Sequence, residues 1–517
     1  MKKKMALLLA FVFCAFVAIQ FIGAKVPNGR QVKAFLRLGL LLVSFVCIAL
    51  SFKEKFMRKR VALSLLFTFT ALASIHFIGM DTSEQKQLKT ILQMGVALAE
   101  FTFIVLSFKE QFMTRRIRTV LVLGWMTFLL TFSYGSNFFN PRNDAYDLFQ
   151  YDSELLVESK IHARIDGVDT GAYGLGGYDR TAKITTDYVS QYGLQGKVFQ
   201  LLCRLFVKHL LCIVLTAIVL AAICFLLGKK YNRLFAFCFF TCFLLSQWIV
   251  NFAQNLYWVE FTWFIPMLLG LVCSMYGGRP AVRRLCYGGA FASILVKSLC
   301  GYEYLPVIML AMISFLLVDF FVALTEKDVP EAKRKALDVV LMGICALAGF
   351  CVAILIHARL RGDGDIIAGV QAIYRKDALR WSLGGKVEDF TPDYRAALEV
   401  PIVTVLRMYF NQWNNTEIIS GISGRYFFLL ALLPNVAFMY RAARKELELY
   451  KVYMYFVFLV TCVAWFVLGK SHSYYHGHIN FVLWYFGFVQ VCFYILLDEA
   501  RRICRTCYVK FKEGQVK

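Results

Sequence analysis

The sequence predicts an all-α polytopic membrane protein with about fourteen transmembrane helices. Three observations predict it. Hydrophobic residues make up 59% of the 517. Apolar runs of roughly 18 residues or more recur along the chain, each long enough to cross about 30 Å of hydrocarbon. The runs are continuous rather than alternating, which excludes a membrane β-barrel. Helices then satisfy the backbone inside lipid.

The spans are expected at 5–23, 33–52, 61–80, 89–107, 117–135, 208–227, 233–252, 260–277, 285–300, 304–323, 337–357, 425–440, 452–469 and 479–497. Basic residues orient them. Lys2-Lys3-Lys4 opens the chain, and alternate connections carry Lys53/Arg58/Lys59/Arg60, Lys109/Arg115/Arg116/Arg118, Lys229/Lys230/Arg233, Arg279/Arg283/Arg284 and Lys327/Lys333/Arg334/Lys335. Arg441/Arg444/Lys445/Lys451 and the tail from Arg501 continue the series. All fall on one side if both termini are cytoplasmic. The formal charge of +23 is then a topology signal plus attraction to anionic membrane lipids. No basic patch interleaves with aromatics, so no nucleic-acid partner is expected.

The first span has the look of a signal peptide, with a basic start and small residues near Gly23-Ala24. It recurs, however, away from the N-terminus. Met5–Arg60 aligns with Val61–Arg116 at an offset of 56 without a gap, and 25 of the 56 pairs are identical. Phe21-Ile22-Gly23 matches Phe77-Ile78-Gly79, and Leu50-Ser51-Phe52-Lys53-Glu54 matches Leu106-Ser107-Phe108-Lys109-Glu110. This is a tandem two-helix hairpin. Three regions follow: a duplicated prefix at 1–116, a core at 117–498, and a basic cytoplasmic tail at 499–517. The prefix is a natural surface for a partner subunit. Within it, Glu100 lies near mid-span, where a carboxylate needs a partner or a cavity.

Sixteen cysteines give no disulfide framework. Most sit in spans as small apolar residues, and Cys504-Arg505-Thr506-Cys507 is a lone CxxC without a second pair.

The outward-facing segments carry the polar chemistry. Loop 136–197 holds the most acidic stretch, Asn143-Asp144-Ala145-Tyr146-Asp147-Leu148-Phe149-Gln150-Tyr151-Asp152-Ser153-Glu154. Two amphipathic parts, about Asp144–Ile165 and Tyr188–Leu205, read as interfacial helices joined by the Gly-rich turn from Gly171 to Gly177. Asp147, Tyr151, Glu154 and Glu158 share one helical face, and Asp152 points elsewhere. A solvated acidic face explains the same pattern. Asn251–Glu260 places Gln254 and Glu260 among belt aromatics. Gly301-Tyr302-Glu303-Tyr304 is a short turn presenting a carboxylate beside Lys297, which a plain ion pair explains about as well as a site does. Loop 358–424 carries Arg359, Arg361, Arg375, Arg380 and Arg395 and ends at Arg425, which suits either phosphate capture or a headgroup anchor. His472, His476 and His478 crowd the last turn. His472 and His476 have i, i+4 metal spacing, and hydrogen bonding to hydroxyls or phosphate fits them equally.

Taken together, this arrangement resembles the GT-C membrane glycosyltransferases, the superfamily of the family 39 protein O-mannosyltransferases, oligosaccharyltransferases, lipid A aminoarabinose transferases and bacterial surface-polysaccharide enzymes. Asp152-Ser153-Glu154 is similar to their acidic Asp-x-Asp-type motif, with Glu154 in the last place. Gly171–Tyr178 and Tyr188–Gly196 are similar to stretches of their first large loop. The resemblance spans about Arg118 to Asp498. It implies a GT-C fold in a bacterial plasma membrane and inverting transfer of a sugar from a polyprenyl-phosphate donor to a glycan, lipid or protein acceptor at the extracytoplasmic face. It implies Asp152 as general base, Glu154 as its partner, and Mg2+ or Mn2+ at these two if a metal is used. Arg425 becomes a phosphate ligand, and Glu303, His476, His478, Gln191 and Glu260 further substrate contacts. A surface-polysaccharide polymerase or ligase would instead place the chemistry on late-loop Arg and His. A transporter or lipid flippase would need inverted repeats and broken charged helices.

Overall fold

The computed structural model describes residues 115–202, 208–379 and 392–514. Most of the duplicated prefix, with Glu100, lies outside the described residues, as do 203–207, 380–391 and 515–517. The chain from Leu121 onward forms one unit.

Almost all of it is helical. In chain order the helices are α1 (Arg115–Ser136), α2 (Tyr151–Ile165), α3 (Leu194–Leu201), α4 (Lys208–Lys230), α5 (Arg233–Leu245), α6 (Gln247–Gln254), α7 (Phe261–Tyr276), α8 (Pro280–Cys300), α9 (Leu305–Thr325) and α10 (Val329–Arg361). Then come α11 (Ile366–Ala372), a π-turn (Ile373–Ala378), α12 (Pro392–Glu399), α13 (Ile402–Gln412), α14 (Phe427–Ala443), α15 (Leu449–Leu468), α16 (Lys470–Tyr475), a 3-10 stretch (Gly477–Tyr485) and α17 (Phe488–Gly514). Two small antiparallel ladders decorate the loops: β1 (Tyr178–Asp179) on β2 (Ile184–Thr185), and β3 (Glu417–Ile419) on β4 (Ile422–Ser423).

Local chemistry sets the boundaries. Asn232 accepts from Phe235 N to start α5, Asp328 from Glu331 N to start α10, and Asp365 from Ile367 N and Ala368 N to start α11. Each satisfies backbone donors that a first turn leaves unpaired. Small residues let helices close on one another. A Cβ on Gly270 would overlap the Met312 carbonyl, and one on Gly349 the Phe291 carbonyl. These contacts bring α7 against α9 and α8 against α10.

Every span expected within 117–498 falls on a helix or a broken helix pair. Five helices are long and apolar enough to cross a membrane (α4, α9, α10, the 424–443 stretch and α15), and seven if each bent pair is one span. The bends are 64° between α5 and α6, and 49° between the 3-10 stretch and α17. Among the described residues this makes a multi-pass, all-α membrane protein, and the count of fourteen is not reached. Four of the fourteen expected spans lie outside the described residues, and the remaining shortfall is local. Helix α7 has only 16 residues, and α8 carries Arg283, Arg284 and Lys297; the extended Ser246 bends one span without removing it.

The bundle has two chemically distinct ends. At the basic end, Asp319 accepts from Lys230 (2.7 Å), Lys335 (2.6 Å) and Ser274 Oγ (2.6 Å). Tyr287 donates to Asp338 at 2.6 Å, and Arg441 pairs with Glu499. The large loops gather at the opposite end, here the loop end.

Candidate functional site

Amide side chains fasten the first large loop to the bundle. Asn143 and Asn251 exchange hydrogen bonds of 2.7 and 3.1 Å. Gln254 donates to the Tyr146 carbonyl at 2.6 Å and Asn255 to the Phe149 carbonyl at 3.1 Å. Helix α2 begins directly afterwards, with Gln150 left-handed before it (φ 55°).

The two motif carboxylates diverge. Positions i and i+2 sit on opposite sides of a helix. Asp152 is exposed and has no hydrogen bond or ion pair among the described residues. Glu154 turns inward with a side chain 15% exposed. Its Oε1 accepts from Leu256 N at 2.8 Å and from His209 Nε2 at 3.1 Å. His209 stands on the first turn of α4.

The pair does not fit a divalent cation. The two groups face apart, and Glu154 has spent its inner oxygen on N–H donors. Among the described residues no cluster of three or more His, Cys, Asp or Glu is arranged to hold a metal.

A second constellation lies deeper. Glu303 is buried, and its Oε1 accepts from Gln191 Nε2 and from Tyr257 OH at 3.2 Å. Gln191 Nε2 also donates to Tyr257 OH at 2.7 Å. Burial, with the Glu303 charge beside it, pushes the Tyr257 phenol well above its ordinary value, so it stays a donor. Lys297 donates to the Gly301 carbonyl at 2.6 Å. The sequence suggested a Lys297–Glu303 pair; the bonds instead go to backbone and amide.

The turn 301–304 distributes its side chains to three neighbours. Glu303 reaches the first loop. Tyr302 OH meets His357 Nδ1 at 2.9 Å. Tyr304, left-handed at φ 63°, donates to Asn480 Oδ1 at 3.0 Å.

The remaining candidates are distributed around this end. Glu260, just before α7, is wholly buried, and neither oxygen has a hydrogen-bond partner among the described residues. The His472 and His476 rings lie 4.7 Å apart, and His476 and His478 6.1 Å apart. His478 Nε2 is 3.2 Å from Gln150 Nε2, which ties the last turn to the start of α2. Arg425 is exposed, donates to Ser423 Oγ at 3.1 Å and stacks over Tyr426. No described contact joins it to Asp152 or Glu154.

Sequence reading missed His209 and His357. Each is a single histidine at the loop end of a long apolar helix. An ionisable residue there is the only local signal.

Compared with protein-family models, curated proteins and solved structures, the chain matches none of them.

Proposed function

We propose that this chain is an integral membrane glycosyltransferase of GT-C type. It moves a sugar from a polyprenyl-phosphate donor to a glycan, lipid or protein acceptor at the extracytoplasmic face. In this reading both termini are cytoplasmic and the loop end faces outward.

One observation carries the reading. The acidic loop is bonded onto the bundle through Asn143, Tyr146, Phe149 and Glu154, which holds the carboxylates of α2 against the loop end, where this reading brings the membrane-borne donor. Transfer needs a group to take the acceptor hydroxyl's proton and positive charge for the departing phosphate. Asp152 and the Glu154–His209 pair are the two candidates for the proton. Arg425 is the proposed phosphate ligand. Gln191, Glu303, Glu260, His476 and His478 are proposed to contact hydroxyls. No step requires a metal. The duplicated hairpins serve as a docking surface for a partner subunit.

The test is transfer in reconstituted vesicles from a panel of polyprenyl-phosphate sugars. Wild-type transfer that falls in Asp152→Asn or Glu154→Gln supports the reading. No transfer from any donor by folded protein refutes it.

A further inference from the structure

The bond between Glu154 and His209 fixes more than a position. An ionised carboxylate only accepts, so the hydrogen lies on His209 Nε2. In the neutral ring Nδ1 then holds the lone pair. That nitrogen has no partner among the described residues, and the side chain is 47% exposed. Glu154 in turn is held by Leu256 N at 2.8 Å, so the carboxylate is anchored independently of the imidazole. A partly buried carboxylate that orients a histidine, with the far nitrogen open, is the arrangement of an oriented general base.

We propose that His209 Nδ1 is the proton acceptor of the transfer reaction, with Glu154 as the positioning residue that orients it. The inference rests on the transfer reading and gives its base a name. In the step, the acceptor hydroxyl oxygen forms a bond to the anomeric carbon. The bond from that carbon to phosphate oxygen breaks, and its electron pair leaves with polyprenyl phosphate. The hydroxyl proton moves to Nδ1. The imidazolium so formed faces Glu154 and Glu158 from α2, with Lys208 on its own helix. Asp152 is exposed and lacks a comparable support.

His209→Gln separates this role from a structural one. A glutamine amide donates to Glu154 much as Nε2–H does, but it accepts no proton. The expected result is a thermal midpoint near that of wild type and a rate lower by about 100-fold or more. The wild-type rate falls toward acid pH, and that limb is absent from the residual rate of the variant. Wild-type-like transfer by His209→Gln overturns the proposal and leaves the transfer reading intact, as does loss confined to Asp152→Asn. Absence of transfer in the wild type is a different result and removes the transfer reading itself.

Diethyl pyrocarbonate, which acylates a neutral and accessible imidazole nitrogen, gives a second readout on the unaltered protein. Peptide mass spectrometry at neutral pH is expected to find His209 modified. An unmodified His209 shows that Nδ1 is not open and overturns the proposal whether or not transfer is seen.

Discussion

Tyr302 and His357 meet at the loop end of the bundle, the phenol oxygen 2.9 Å from the imidazole Nδ1. The other ring nitrogen lies 3.1 Å from the Val189 carbonyl. A carbonyl only accepts, so Nε2 carries the hydrogen and Nδ1 accepts from Tyr302. One ring thus joins the 301–304 turn, α10 and the first loop. His357→Phe leaves the Val189 carbonyl and the Tyr302 hydroxyl without these partners. A loss of about 1–3 kcal/mol is expected, read as a lower thermal midpoint in detergent or nanodiscs. An unchanged midpoint contradicts the bridging role.

Gly301 is fixed by space. A Cβ there would lie 2.5 Å from Glu303 Oε2 and 3.0 Å from Gln191 Oε1. Gly301→Ala must push the Glu303–Gln191–Tyr257 cluster apart. Overpacking of this kind costs about 1–3 kcal/mol. Gly288, where nothing among the described residues lies within 4 Å of the added carbon, is the control on α8, the helix that ends just before Gly301. Its alanine variant is expected to be neutral or slightly stabilising in the same unfolding assay.

Lys160 holds the rest of the first loop together. Its fully buried ammonium donates to the Thr170 carbonyl at 2.8 Å and to Asp187 at 2.5 Å. The glycines around it allow backbone to lie on backbone: a Cβ on Gly176 would overlap the Thr186 carbonyl, and one on Gly196 the Gly174 carbonyl. Lys160→Met leaves Asp187 without its cation, a loss of about 2–3 kcal/mol for a half-buried partner. Limited proteolysis is expected to cut the 166–187 segment faster in the variant. Equal cutting rates refute the role.

Much of this was legible in the sequence. Continuous apolar runs located the helices of the core, and basic connections separated the two ends. The helical wheel of the first loop set Asp152 apart from Glu154, and α2 shows the same division. The expected first interfacial helix began near Asp144, but Asn143–Gln150 form turns, because their carbonyls serve Asn255 and Gln254 rather than a helix. What the sequence left out is long-range pairing. Glu154 and His209 are distant in the chain, as are Gln191 and Glu303, and no local pattern marks either pair. Among the described residues the span count fell short because α7 is short and α8 carries three cations, and four of the expected spans lie outside those residues.

The divergence of the two motif carboxylates predicts different costs. Glu154→Ala releases Leu256 N–H and the imidazole, so it is expected to lose about 1–3 kcal/mol. Asp152→Asn removes no bond and is expected to stay within about 0.5 kcal/mol of wild type. Paired unfolding curves check this. Equal destabilisation by the two variants contradicts the described geometry.

Sugar transfer at the loop end is directly measurable. The most direct measurement offers vesicle-reconstituted wild type a panel of polyprenyl-phosphate sugars with candidate acceptors and follows the sugar. At least one donor is expected to be consumed, with the sugar recovered on an acceptor in inverted configuration and polyprenyl phosphate released. A folded, correctly inserted protein that consumes no donor contradicts it.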